Sequence, residues 1–262
     1  MKKFLTAIAF SLCSAAWAQT SEFVNTVPEA YLQKDTNITV GAAALSVPKY
    51  TGSDENRVAA YPMFDVQWKS GAFFSAVNGL GYNFSKKPGL QYGLRLSLEG
   101  ARDESRSAKL TGLGDVSTTI EPGAFANLSL NENYSVVSSV RYGSGVDHNG
   151  LQFSVGGRYS TALSDNHRVS ATLRANWANT SYMQSYFGVN GQQSLASGYN
   201  MFTPSAGITD IKLSASWRWA IDSNWSITTG ASASRLQGDA SRSPFVFQKN
   251  PVTIFSVTSY RF

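Results

Sequence analysis

The sequence has few of the residue types that most often perform chemistry. Its 262 residues include one cysteine, Cys13, and two histidines, His148 and His167. Cys13 lies in a stretch that we expect to be removed, so the remaining chain should form no disulfide, no cysteine–metal site and no redox centre. The histidines are too far apart in sequence to form a metal-spaced cluster. We therefore expect no cofactor and no metal.

Charge is also scarce, at 15% of residues, against the roughly 25% that is usual in soluble domains. The formal net charge of +5 becomes +3 without Lys2 and Lys3, which is too small to indicate nucleic-acid binding. No later segment reaches the roughly 20 apolar residues of a membrane-spanning helix. Aromatic residues, by contrast, make up 13%. This combination favours a transmembrane β-barrel over its alternative, a secreted soluble β-sandwich.

The first residues have the three parts of a secretory signal peptide. Lys2 and Lys3 precede a short apolar run, which ends at an A-x-A site before Gln19. We predict a signal peptide over residues 1–18. Residues 19–35 show no clear period and are predicted to be a periplasmic lead-in, and residues 36–262 are predicted to form the barrel.

Apolar and polar residues alternate along the rest of the chain, in segments separated by turn-forming residues. In residues 90–101, leucine and tyrosine alternate with polar residues such as Arg95 and Glu99. A period of two predicts strands. The predicted strands are 36–47, 58–68, 71–84, 90–101, 117–130, 133–142, 151–161, 167–178, 208–219, 224–236 and 251–262.

Counting 71–84 as one strand gives an odd number, whereas bacterial single-chain barrels usually have an even number. Gly79 and Gly81 could divide this segment, so we predict twelve strands, with ten as the alternative. Short connections at 85–89, 131–133, 164–166 and 222–224 alternate with long ones at 102–116, 143–150, 179–204 and 237–250. This alternation predicts an all-β, antiparallel, up-and-down outer-membrane barrel.

The last twelve residues, PVTIFSVTSYRF, predict the closing strand. Every second residue counted back from Phe262 belongs to one stripe, which becomes aromatic at Tyr260 and Phe262. Terminal aromatic residues suit the lipid–water boundary of a barrel. The strand resembles a barrel-assembly signal, and we interpret Ile254, Tyr260 and Phe262 as the residues that the assembly machinery recognises.

Charged residues occupy strand faces that should point into the lumen. The predicted lumen network consists of Asp65, Arg95, Glu99, Glu121, Arg141, Arg158, Arg174 and Arg218, with Arg168 and Lys212 on the same faces. The acids could pair with the arginines in a packed polar interior. Alternatively, the arginines could line a narrow, anion-favouring channel.

The long loops are the other candidate surface. Residues 179–204 include the aromatic residues Tyr182, Tyr186, Phe187 and Tyr199, which either bind a partner or fold back and close the barrel mouth. Basic residues near 237–250 could meet lipopolysaccharide phosphates. His148 follows Asp147 in a predicted turn and His167 lies at a short turn, so we expect no catalytic residue and no enzyme.

Short motifs in loops and at strand ends together resemble the MipA/OmpV family of outer-membrane proteins, from about residue 40 to residue 262. The motifs are PKYTGSD (48–54), FF (73–74), GLGY (79–82), GLGD (112–115), YFGV (186–189), RLQGDA (235–240) and SP (243–244). The resemblance implies an outer-membrane barrel. One member of the family is similar to a scaffold that joins the lytic transglycosylase MltA to a murein synthase. Others resemble adhesins or porins.

We therefore predict a monomeric, multi-pass protein of the outer membrane of a Gram-negative bacterium, in contact with lipid and lipopolysaccharide and inserted by the barrel-assembly machinery. The resemblance implies a non-enzymatic scaffold of murein turnover, with a lytic transglycosylase and a murein synthase as periplasmic partners. The alternatives are a small-solute, anion-favouring channel and a surface adhesin that uses the long loops.

Overall fold

The computed structural model describes Leu32 and residues 34–262. The predicted signal peptide, and all of the predicted lead-in except Leu32, Lys34 and Asp35, lie outside these residues. No helix in the described part of the chain is long and apolar enough to cross a membrane.

Twelve antiparallel strands form one closed sheet, in which each strand pairs with the next in sequence. They are β1 (Thr36–Pro48), β2 (Asn56–Trp68), β3 (Ala72–Ser75), β4 (Gly79–Asn83), β5 (Leu90–Glu99), β6 (Thr119–Ser129), β7 (Tyr134–Ser144), β8 (Gly150–Ser164), β9 (His167–Ala178), β10 (Gly207–Ala220), β11 (Trp225–Leu236) and β12 (Val252–Arg261). Pairing of β1 with β12, from Thr39 opposite Arg261 to Ser46 opposite Ile254, closes the barrel. The predicted up-and-down barrel of twelve strands is confirmed.

The segment 71–84 forms two strands, β3 and β4, joined by a turn at residues 76–78. Gly79 has a φ of 78°, a left-handed conformation that glycine adopts without steric cost. Gly81 is needed for a different reason, because a Cβ there would lie 2.3 Å from the ring of Phe73. Gly79 therefore allows the turn, and Gly81 allows the Phe73 ring to pack closely against β4.

β3 and β4 have four and five residues, so the barrel wall extends less far along the barrel axis here than at the other strands. β2 pairs with β1 along its whole length, but it pairs with β3 only at Asp65, Val66 and Gln67. On the lumen side, a buried apolar cluster packs against Val77 of the hairpin turn. The cluster contains Ala43, Leu45, Val47 and Tyr61. The interior is therefore apolar on this side.

The two ends of the barrel differ. The end that contains Thr36 and Arg261, here called the inner end, has short turns, and the opposite outer end has the long loops. The long predicted connections all lie at the outer end, and the one very short connection on that side is the β3–β4 turn at residues 76–78. The outer loops include α1 (Thr180–Phe187) and α2 (Gly191–Ser197). Asn179 and Asn190 cap these helices by accepting backbone hydrogen bonds.

Side chains alternate between lipid and lumen along the strands. In β5, Leu94, Leu96 and Leu98 are exposed on the outside, whereas Arg95 and Glu99 are buried in the interior. Aromatic side chains pair at the inner boundary, for example Tyr134 with Tyr159 and Trp225 with Tyr260. An apolar outer surface with aromatic residues at its edge is what a lipid-embedded barrel requires.

Candidate functional site: a closed outer mouth above an inner cavity

Three of the charged residues predicted to face the lumen meet in the outer half of the barrel. Arg141 Nη1 lies 2.7 Å from Glu99 Oε2 and 2.9 Å from Glu121 Oε2. All three side chains are buried, and Glu121 is fully inaccessible. Strand register explains the meeting, because the outer ends of β5, β6 and β7 are adjacent. These three residues therefore join three neighbouring strands.

Polar neighbours complete this buried network. Arg141 Nη2 donates to Gln152 Oε1 at 2.9 Å, and Gln152 Nε2 donates to Glu121 Oε1 at 3.1 Å. The Tyr182 hydroxyl donates to Glu99 Oε1 at 3.4 Å. Buried charges require such contacts to offset the loss of water. Gln152 was not singled out from the sequence, since a neutral amide alternating with apolar residues is ordinary in a strand.

Of the remaining predicted lumen residues, Asp65, Arg158, Arg174 and Arg218 lie in the inner half of the lumen, apart from this network. Arg95 is buried on β5, opposite Gly123. Asp65 accepts a 2.6 Å hydrogen bond from Gln67 Nε2 and lines the inner half of the lumen. Arg158, Arg174 and Arg218 also line that inner half. The predicted residues thus divide into one compact outer group and a largely positive inner set.

The inner half of the barrel contains a cavity of about 1140 Å³, here called the inner cavity. Its positive side is formed by Arg158, Arg168, Arg174 and Arg218 on β8 to β10, and a further arginine, Arg261, lies at the inner end of β12. Its apolar side is formed by Ala43, Leu45, Met63, Val77, Phe255 and Val257. Among its described lining residues, only Asp65 and Glu132 are acidic.

The outer mouth is closed by a folded group of loops, here called the outer plug (residues 49–55, 100–118, 179–206 and 237–251). One of its apolar clusters takes side chains from all four loops, namely Tyr50, Leu110, Leu113, Val189 and Phe245. A second cluster contains Ala178, Met183, Phe187 and Ala240. Between the outer plug and the buried network remains a cavity of about 110 Å³.

The aromatic residues predicted either to bind a partner or to close the mouth lie within the outer plug. Tyr182 and Tyr186 stack with ring centres 4.4 Å apart. Phe187 is 2% exposed, and the Tyr199 hydroxyl donates to the Lys109 carbonyl at 3.0 Å. Burial raises the pKa of Tyr182 and of Tyr186 well above the usual value for tyrosine, so both hydroxyls stay protonated. This placement favours closure of the mouth.

Arg102 joins three loops of the outer plug. Its Nη2 donates to the Leu113 carbonyl at 3.2 Å, and its Nη1 donates to the Tyr186 carbonyl at 3.3 Å. Its guanidinium carbon lies 5.2 Å from the centre of the Phe245 ring, within cation–π distance. Burial lowers the pKa of Arg102 to about 10, so the group remains charged at neutral pH. Sequence analysis missed Arg102, because an isolated arginine in a loop gives no periodic signal.

Two acidic residues of loop 49–55 attach it to loop 100–118. Lys109 Nζ lies 2.5 Å from Asp54 Oδ1, and Ser107 Oγ donates to Glu55 Oε2 at 3.1 Å. The contact with Lys109 lowers the pKa of Asp54. Contacts with Lys49 and Ser107 lower the pKa of Glu55. Because exposed ion pairs are screened by water, each contributes little to stability.

The predicted assembly residues lie on or next to β12, the strand that closes the barrel. Ile254 is exposed on the lipid side. The Tyr260 ring contacts Trp225 at 5.1 Å and Phe262 at 4.9 Å between ring centres. Their recognition by the barrel-assembly machinery stays a prediction.

The two histidines lie in different surroundings. His167 begins β9, and its ring stacks on that of Trp217, whose Nε1 donates to His167 Nδ1 at 3.2 Å. It thus lies directly after the short turn, at the first residue of the predicted strand 167–178. His148 has a φ of 57° in the turn after β7, as expected of turn chemistry. Within the described part of the chain, no group of three His, Cys, Asp or Glu residues could hold a metal ion.

A family model described as MltA-interacting protein MipA matches residues 40–262. The chain belongs to this family. The predicted family resemblance is therefore confirmed. The chain is thus a member of this family that folds as a closed twelve-stranded β-barrel.

Several solved outer-membrane barrels are distantly similar. An outer membrane channel from Pseudomonas putida F1 is 11% identical, with 91% of this chain and 100% of that chain covered and a TM-score of 0.46. The CymD monoaromatic hydrocarbon channel is 10% identical, with 88% of each chain covered and a TM-score of 0.44. The KdgM porin, solved with disordered oligogalacturonate, is 10% identical, with 86% of this chain and 99% of that chain covered and a TM-score of 0.42. These similarities are too distant to indicate a ligand. A search of the curated proteins found no match.

Proposed function

We propose that this chain is a non-enzymatic scaffold in the outer membrane of a Gram-negative cell. In this proposal the inner end faces the periplasm, and a lytic transglycosylase of murein turnover binds there. The family description, an MltA-interacting protein, supports this partner. The single observation that most supports a scaffold over a pore is the closed outer mouth, where side chains from four loops form a buried apolar cluster.

A pore needs a continuous path for water and ions. Across the outer half of this lumen lie the apolar clusters of the outer plug and, beneath them, the buried network of Glu99, Glu121 and Arg141. A steady ion current would require both to move. The barrel then serves as a stable membrane anchor, and its inner end remains available to a periplasmic partner.

Binding of purified MltA to the protein in nanodiscs tests the scaffold. Lys86 and Lys87 are exposed between β4 and β5, at the inner end. We expect the K86E/K87E double variant to bind at least about fivefold more weakly, because rim charges guide association. The R242E variant, changed in the outer plug, is the control and should bind like the unchanged protein. No binding by the unchanged protein, or an equal loss in both variants, would argue against the scaffold.

A chain lacking residues 19–35 tests the other periplasmic candidate. If this segment contributes to the partner surface, the truncated protein should bind MltA more weakly while retaining a folded barrel. Retention of the barrel is checked by heat-modifiable migration on SDS gels, because a closed barrel resists detergent until it is boiled.

The second candidate function is an anion-favouring channel, which the arginines of the inner cavity favour. Planar bilayers separate the two functions. A scaffold with a closed outer mouth should show little steady conductance. Stable, anion-selective single-channel steps from the unchanged protein would support the channel instead.

A further inference from the structure

Like charges face each other on the positive side of the inner cavity. Arg168 on β9 lies directly opposite Arg218 on β10. Like charges in directly opposite positions destabilise an antiparallel pair. The positive charges of Arg261 and Arg168 also repel that of Arg218. An anion held between these groups would relieve the repulsion.

The acids that line the inner cavity do not balance this charge. The described lining has five arginines and two carboxylates, Asp65 and Glu132. Asp65 lies on β2, away from β8 to β10, where it accepts a hydrogen bond from Gln67 and interacts with Arg261. A concave site with an excess of one charge concentrates mobile ions of the opposite sign. The side formed by β8 to β10 is therefore suited to an anionic group.

The neighbouring part of the cavity wall, formed by β1 and β12, is suited to an apolar group. Leu45, Phe255 and Val257 point into the cavity from β1 and β12. A lumen that held only water could be lined by small or polar residues at these positions. The two sides are close together, because Arg218, Thr228 and Val257 occupy one cross-strand row. Covering these apolar side chains with a ligand would remove their surface from water, which is favourable.

We propose that the inner cavity binds an amphipathic anion, namely a single hydrocarbon chain that ends in one carboxylate or phosphate group. The anionic group contacts Arg168 and Arg218, since guanidinium groups bind carboxylate and phosphate through paired hydrogen bonds. The chain lies along Leu45, Phe255 and Val257. The cavity volume of about 1140 Å³ is sufficient, because pockets for small ligands measure roughly 300–1,000 Å³. This binding is independent of the proposed scaffold.

Calorimetric titration of the protein in nanodiscs tests the proposal with dodecanoate as the probe. Dodecanoate should bind saturably at one site. Dodecanol, which lacks the charge, and hexanoate, which has a shorter chain, should each bind at least about tenfold more weakly. Dodecyl phosphate distinguishes the source: tighter binding of the phosphate indicates a lipid headgroup, and tighter binding of the carboxylate indicates a fatty acid. Either result supports the site, and binding of neither overturns it.

Matched variants connect the binding to the cavity. R218Q should weaken dodecanoate binding at least about tenfold, R218K should weaken it less because it keeps the charge but not the paired hydrogen bonds, and R242Q, in the outer plug, should leave it unchanged. If R218Q does not assemble, F255S replaces it and should weaken dodecanoate but not hexanoate. Equal binding of dodecanol and dodecanoate, or no loss in both R218Q and F255S, would overturn the proposal.

Discussion

The outer and inner halves of the lumen use arginine in opposite ways. In the outer half, Arg141 lies within 2.9 Å of two carboxylates, and Arg102 donates to loop carbonyls. In the inner half, Arg168 and Arg218 face each other across neighbouring strands. The same residue type therefore joins strands and loops where carboxylates and loop carbonyls lie next to it, and it contributes to a positive surface where two arginines face each other.

Connection length accounts for much of this difference. The outer end has loops long enough to fold over the barrel and exclude water, and a buried arginine is tolerated there only with partners. The inner end has short turns, and Arg168, Arg218 and Arg261 are exposed there. Among the described residues, the closed outer half and the more exposed inner half thus both correspond to connection length.

The largest effect should come from removing the shared cation of the buried network. R141Q leaves Glu99 and Glu121 buried together without their positive partner, and we expect it to lower the free energy of unfolding by about 3–5 kcal/mol. Denaturant unfolding in detergent measures the change. R242Q is the control, because Arg242 forms an exposed ion pair with Asp239 and should contribute less than about 1 kcal/mol. Equal stability of the two variants would contradict the network's role.

The second effect concerns the outer plug alone. R102A removes a buried guanidinium that contacts Leu113, Tyr186 and Phe245. We expect a loss of about 2–3 kcal/mol, since a hydrogen bond to a charged group contributes about 1.5–3 kcal/mol. The plug loops should become sensitive to protease while the barrel still migrates as a folded species before boiling. Unchanged proteolysis would show that the plug does not depend on Arg102.

The third effect tests whether the inner half depends on packing rather than on ion pairs. In G81A, the new Cβ would lie 2.3 Å from the Phe73 ring and 2.5 Å from the Leu94 carbonyl oxygen. We expect a loss of about 1–3 kcal/mol from overpacking. G157A makes the same change on β8, where nothing lies within 4 Å of the new atom. Equal thermal stability of the two variants would contradict this account.

The repeating strand pattern and the number of strands could be predicted from the sequence. Residues in a membrane barrel meet lipid on one side and the lumen on the other, so the period of two in β5 and β12 is a local signal. Loop lengths predicted which end of the barrel has which connections, because short and long connections alternate along the chain. Only the 71–84 segment was ambiguous, since β3 has four residues and β4 has five, too few for a clear pattern.

Contacts between strands and loops could not be predicted in the same way. The sequence identified Glu99, Glu121 and Arg141 as lumen residues, but their meeting depends on the register of β5, β6 and β7. A signal existed, because all three lie near the outer ends of consecutive strands. Arg102 and the clusters of the outer plug depend on long-range loop packing, and no short-range pattern encodes such packing.

The smallest effect is a pH dependence of the outer plug. Asp54 and Glu55 have lowered pKa values in the folded protein. Their contacts are therefore fully present above the ordinary carboxylate pKa, at about pH 4, and are lost as the pH falls through the lowered values. Protease sensitivity of loop 49–55 should rise slightly once the pH is below the ordinary carboxylate pKa of about 4. The D54N variant should already be slightly more sensitive at neutral pH and should change less on acidification. An identical pH response of D54N and the unchanged protein would contradict this assignment.

Thiol accessibility tests most directly the claim that the lumen is open at its inner end and closed at its outer end. Ser216 lines the inner cavity, and Ser144 is fully buried beside Gln152. Two proteins are compared, each with a single introduced cysteine, S216C or S144C. Each protein is reconstituted in proteoliposomes of known orientation, and a membrane-impermeant maleimide is then added from one side or the other. S216C should react quickly from the inner-end side and far more slowly from the outer-end side, and S144C should react slowly from both. Equally rapid labelling of S216C from both sides would contradict the account.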